Sequence, residues 1–173
     1  FWPETDEVHA RSALSQSLSF LRRHLPSGAI AKQGATEVGV APEAVRVDIR
    51  DFQAAMDEGR WSEALDLYRG DFLLGFHLEG CPGFEDWIAG ERLRFREAAA
   101  GAAWSLAKAL MGRGALVEAE RSAQRALELV WTDETPVREF VRALAEAGDQ
   151  ASALNFFHGA GGQHIPHPFA DGR

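Results

Sequence analysis

Two triplets of residues set 34 positions apart constrain this chain most. Leu110, Gly114 and Ala119 are followed by Leu144, Gly148 and Ala153. Each triplet lies in a helical pattern, so each glycine sits where one helix ends and the next begins. The glycine supplies the tight reversal, and the small alanine lets the second helix approach the first. The same Gly-x-x-x-x-Ala spacing occurs at Gly59 and Ala64, within GRWSEA. Units of this kind bury their apolar faces only by stacking on neighbours. A mainly α-helical fold is therefore expected, built from helix pairs with the tetratricopeptide period.

The helical segments follow from apolar spacing. Asp48 is positioned to cap a helix over 49–58 with Phe52 and Met56 on its inner face, and Gly59 ends it. A second helix is expected over 61–68, stopped by Gly70. The run Asp71-Phe72-Leu73-Leu74-Gly75-Phe76 then reads as an apolar plug between two glycines. Pro82 and Gly83 open a long helix reaching about residue 112, with Phe84, Ile88, Phe95, Ala99, Ala102, Leu106 and Leu110 along one face. Its alanine-rich middle, residues 98–103, allows close approach of a neighbour. Ala126 to Leu129 closes a further helix, and Thr132 to Pro136 opens the next. Trp61, Trp87, Trp104 and Trp131 are expected in the core of these pairs. After Phe157 the periodicity stops, and a disordered tail over 158–173 is expected.

The N-terminal part has a different character. Asp6 is placed to cap a helix over 7–25, ended by Pro26-Ser27-Gly28. Ala10, Leu14, Leu18, Leu21 and Leu25 mark an inner face, and the other face carries Arg11, Ser12, Ser15, Gln16, Ser19, Arg22 and Arg23. Small polar groups, a glutamine able to read base edges and arginines for guanine or phosphate suit a helix entering a major groove. The plainer reading is a solvated face. Residues 8–36 contain no Asp or Glu, whereas solvated helix faces usually carry Glu–Lys pairs. Two short strand-like runs at 29–32 and 37–40 flank Gln33-Gly34-Ala35-Thr36 and predict a β-hairpin. A helix followed at once by a hairpin is the back half of a winged helix, with Lys32 and Thr36 as wing contacts; a hairpin without a DNA role is the alternative.

Charge supports the division. The chain carries 18 basic and 26 acidic residues; outside residues 8–36 the balance is 14 against 26. A cationic island on an acidic body suits one-faced contact with DNA. One cysteine, Cys81, excludes an internal disulfide framework and fits a reducing cytosol. No apolar run approaches the ~20 residues of a membrane helix, and the acidic start lacks a signal-peptide core. Phe1-Trp2-Pro3 resembles the end of an element, so N-terminal truncation is expected. No motif supports catalysis or a cofactor. His77 and Cys81 supply two metal ligands where a zinc site needs three or four. His158, His164 and His167 fall in the expected tail. Asp71 reads as a turn or capping carboxylate, and Glu85, Asp86, Glu91 and Glu97 as a solvated acidic face.

With these residues in hand, the chain resembles the SARP/AfsR-type transcriptional regulators. Phe1-Trp2-Pro3-Glu4 followed by Ala10-Arg11-x-x-Leu14-x-Gln16-x-Leu18-x-x-Leu21-Arg22-Arg23-x-Leu25 is similar to the loop and recognition helix of an OmpR-type winged helix. Asp48-x-x-x-Phe52, the run from Glu63 to Leu73 (EALDLYRGDFL), Phe84-Glu85-x-Trp87 and Glu91-Arg92 are similar to the bacterial transcriptional activator domain. That domain is itself similar to tetratricopeptide repeats. The resemblance covers residues 1–157. The front of the family's winged helix has no counterpart here. Beyond residue 159 the family's next amphipathic helix is also missing, either by truncation or by divergence.

The expected organisation is the C-terminal part of a winged helix over 1–42, a helical activator domain over 43–157 and a tail over 158–173. The expected function is a cytoplasmic, non-enzymatic transcriptional regulator, an activator by resemblance. Its expected partners are double-stranded DNA and either RNA polymerase subunits or a second protomer, with no cofactor and no membrane. The competing expectation is a helical-repeat adaptor without DNA binding.

Overall fold

The computed structural model describes residues 5–34, 37–130 and 134–160. It is mainly helical, with one small hairpin near the N-terminus. The order is α1 (Glu7–His24), β1 (Ile30–Gln33), β2 (Glu37–Val40), α2 (Asp48–Asp57), α3 (Trp61–Leu67), α4 (Pro82–Met111), α5 (Leu116–Leu129), α6 (Thr135–Glu146) and α7 (Gln150–Gly159). The strands pair antiparallel, with Ile30 opposite Val40 and Lys32 opposite Val38.

The glycine motif builds three turns of one geometry. Gly59, Gly114 and Gly148 have φ of 69°, 75° and 88°, the left-handed region that only glycine enters without strain. In each, the N–H after the glycine donates to a carbonyl five residues back: Arg60 to Ala55 (2.8 Å), Ala115 to Leu110 (3.0 Å) and Asp149 to Leu144 (3.1 Å). This is the long bond of a Schellman cap, and it turns the chain into the next helix at a fixed angle. Ala64, Ala119 and Ala153 are fully buried where the second helix of each pair meets the first. The pairs are α2–α3, α4–α5 and α6–α7.

Two clusters of buried residues result. One joins Phe52, Ala55, Ala64, Leu65, Phe95, Ala99, Ala102, Ala103 and Ala126; the other joins Ala107, Ala119, Ala123, Val137, Phe140, Val141, Leu144, Ala153, Phe156, Phe157 and Ala160. Trp104 packs against both. The alanine-rich stretch of α4 faces Ala119, Ser122, Ala123 and Ala126 of α5. There the Ser122 hydroxyl donates to the Ala103 carbonyl at 2.8 Å, which satisfies a buried polar group between the two helices.

Several local expectations need correction. Asp48 lies inside the first turn of α2, because Val47 takes the cap position and the Asp48 carboxylate accepts its own neighbour's N–H, that of Ile49. The plug is mostly outside. Phe72 is half-buried, but Leu73, Leu74 and Phe76 are 41%, 77% and 47% exposed. The intervening glycines bend the run too tightly for consecutive side chains to share one direction. Trp87 is 49% exposed, whereas Trp61 and Trp104 are half-buried against the core; Trp131 lies outside the described residues. Helix α7 runs through His158 and Gly159, past the expected stop, and residues 161–173 lie outside the described residues.

Candidate nucleic-acid interface

Helix α1 is fixed at both ends by its own sequence. The Asp6 carboxylate accepts from the N–H groups of Val8 and His9, both at 3.0 Å, and from the His9 ring. The His9 N–H is the first cause of a carboxyl pKa below its ordinary value. At the other end Leu25 turns extended and its N–H closes on the Leu21 carbonyl. His24 stacks on Phe20, with ring centroids 4.1 Å apart.

At roughly 100° per residue, Arg11, Ser12, Ser15, Gln16, Ser19, Arg22 and Arg23 fall within an arc of about 140°. All seven are exposed, as is Lys32 on β1. Thr36 lies outside the described residues. The cations differ in freedom. Arg11 bonds Glu7 at 2.6 Å, so the acid just outside the acid-free stretch reaches into it. Arg23 donates to the Ser19 carbonyl at 3.3 Å, and Arg22 and Lys32 form no ion pair among the described residues. Val8, 76% exposed, interrupts the polar arc.

The opposite stripe departs from expectation. No residue of α1 is buried: Leu14 and Leu21 are 47% and 39% exposed, and Ala10, Leu18 and Leu25 are half-exposed. The 4-4-3-4 spacing aligns these residues on one side. Burial needs an apolar surface opposite them, and no element among the described residues provides one. The helix touches β1 at its C-terminal end, and an Arg50 bond to the Val40 carbonyl (3.1 Å) links the hairpin to α2.

A second constellation, whose members lie far apart in the sequence, organises the segment after α3. The Asp71 carboxylate pairs with Arg96 (2.5 Å) and accepts from the Tyr68 hydroxyl (3.1 Å). The Arg96 guanidinium holds the Asp71 carboxyl below its ordinary value, while burial first and Asp71 second push the Tyr68 phenol up. Arg92 donates to the carbonyls of Phe72 (2.8 Å), Leu73 (2.7 Å) and Phe76 (3.5 Å). Arg125 reaches from α5 to the Leu65 carbonyl at 2.6 Å. Arg125 thus holds the end of α3, and Arg92 and Arg96 hold the following loop, in which Leu73 adopts φ 49°, a strained value for a side chain of its size. Beside the loop lies a groove of about 480 Å³ lined by Ile49, Phe52, Leu67, Phe72, Leu73, Leu74 and others. The expected acidic face is also more structured than a solvated one. Glu85 accepts the Leu78 N–H at 2.6 Å and pairs with His77, and Glu91 pairs with Arg94.

The described residues contain no group of three or more His, Cys, Asp or Glu side chains able to hold a metal, and no helix long and apolar enough to cross a membrane. The described residues form stacked helix pairs preceded by a helix and a hairpin. The bacterial transcriptional activator domain family matches residues 37–161, and the chain belongs to that family. The family is associated with transcriptional activation and is regulatory rather than enzymatic. Comparison with curated proteins and with solved structures returned no match.

Proposed function

We propose that this chain is a cytoplasmic, DNA-binding transcriptional activator of the SARP/AfsR type. In this reading residues 1–42 are the C-terminal part of an OmpR-type winged helix and 43–157 form the partner-binding domain. Helix α1 lies in a major groove, with Gln16 or Ser15 toward base edges and Arg22, Arg23 and, once released from Glu7, Arg11 toward phosphates. Ser12 and Ser19 keep the approach close, and Lys32 and Thr36 are the wing contacts. RNA polymerase subunits or a second protomer engage the helical domain. One observation carries the reading: on a chain of net charge −8, a single helix turns seven exposed polar residues, none of them acidic, to solvent within one arc of about 140°. The test is selection from a randomised duplex pool. Enrichment of one motif is expected, and Gln16→Ala should relax preference at one base pair by about 1–3 kcal/mol. An unenriched pool refutes the reading.

The adaptor reading draws on a different observation, the open apolar stripe of α1. A helix built to cover an apolar partner also presents Leu14 and Leu21. That reading predicts no salt-dependent affinity for any duplex.

A further inference from the structure

Exposed apolar side chains gather at the arginine-held loop. Leu73, Leu74 and Phe76 project from it, and Trp87 of α4 lies alongside. Ring contacts make the patch continuous with the core: Phe76 on Phe84 (6.0 Å), Phe84 on Trp87 (5.4 Å), Trp87 on Phe72 (5.7 Å) and Phe72 on Phe95 (5.7 Å). The loop that carries this patch is held in place by the Arg92 and Arg96 guanidinium groups, and exposed apolar patches of this kind mark interaction sites.

The backbone narrows the kind of partner. Arg92 bonds the carbonyls of Phe72, Leu73 and Phe76, and the Leu74 and Phe76 N–H groups bond inside the loop to the Asp71 and Leu73 carbonyls, so the loop offers an added strand a poor edge. Recognition must run through side chains, as when an amphipathic helix lays its apolar face into a groove. Charge narrows it further. Arg92 is spent on those carbonyls, Arg94 on Glu91 and Arg96 on Asp71. Asp48 at the groove, Glu79 beyond the loop and Asp86 beside Trp87 are exposed and form no ion pair among the described residues; Arg69 is the opposing cation at the groove edge.

We infer that the surface formed by Leu73, Leu74, Phe76 and Trp87 docks an amphipathic partner helix whose apolar anchors are flanked by lysine or arginine. The inference rests on the regulator reading, in which the helical domain recruits a protein, and it names the surface and the chemistry recruited. The experiment titrates the full chain with two designed helical peptides of about 18 residues that share leucines at positions i, i+3, i+4 and i+7. One carries lysines on its remaining face, the other glutamates. The lysine peptide should bind, and the glutamate peptide at least about tenfold more weakly. Leu74→Ser removes a side chain too exposed to support the fold and should weaken the lysine peptide about tenfold or more. Val117→Ser, exposed elsewhere on α5, should leave it unchanged. Equal binding of the two peptides, wild-type affinity in Leu74→Ser, or no binding at all overturns the inference. So does a concentration-dependent dimer that Leu74→Ser dissolves, which would assign the patch to a second copy. Duplex binding measured on the wild-type chain keeps the two readings apart: absent DNA affinity with intact binding of the lysine peptide sinks only the regulator reading.

Discussion

Replacing Arg22 with alanine gives the sharpest quantitative test of the α1 face. Arg22, Arg23 and Lys32 are exposed and free of ion pairs among the described residues, whereas Arg11 is held by Glu7. Three phosphate contacts release about three counterions, so log K should fall against log salt with a slope of about −2.7. Between about 50 and about 200 mM salt the affinity then drops about 40-fold. Arg22→Ala removes one contact, brings the slope to about −1.8 and reduces the drop to about 12-fold. Glu7→Gln works the other way: it frees Arg11 and should steepen the slope by about 0.9. Fluorescence anisotropy of a labelled duplex across the salt series reads both changes. Because Arg22 is exposed and bonded to no other element, the thermal melt should be unchanged. An Arg22→Ala slope equal to wild type refutes the assignment of this face to phosphate.

Three other outcomes follow from the helical domain. Leu144→Ala should lower unfolding free energy by about 2–5 kcal/mol in a urea titration, since the side chain is fully buried between α6 and α7. Gly148→Ala should cost about 1–2 kcal/mol from backbone strain alone, because nothing lies within 4 Å of the added Cβ; Gly101→Ala, exposed inside α4, should stabilise by about 0.5–1 kcal/mol. The depressed Asp71 carboxyl contributes stability above its unfolded value, near its ordinary 3.8, and loses it as pH falls through the lower folded value. Urea midpoints taken from pH 6 down to pH 3 should therefore fall less steeply in Asp71→Asn than in wild type.

Local signals carried most of the fold. The three Gly-x-x-x-x-Ala turns, the Asp6 cap and the alanine contact between α4 and α5 were legible because glycine, a capping carboxylate and small side chains act within a few residues. The corner around Asp71 was not. Arg96 lies 25 positions from Asp71 and Arg125 lies 60 from Leu65, so no spacing rule links them before the helices are stacked. The plug misled for a related reason. Composition says that Leu73, Leu74 and Phe76 are apolar, but only the bend at Gly75 and the Arg92 clamp decide that they face solvent. The α1 stripe shows the same limit, since periodicity aligns a face without supplying its cover. The polar arc of α1 could be delineated from sequence, whereas the Glu7 restraint on Arg11 depends on a rotamer.

The central claim is that one face of α1 meets DNA while the stacked helices do not. Backbone amide shifts recorded as the isotopically labelled chain is titrated with duplex test it most directly. The account predicts perturbations at Arg11, Ser12, Ser15, Gln16, Ser19, Arg22 and Arg23, with a smaller set at Lys32, and quiet signals throughout α4 to α7. Perturbations concentrated on α4 to α7, or an α1 that does not respond, would contradict it.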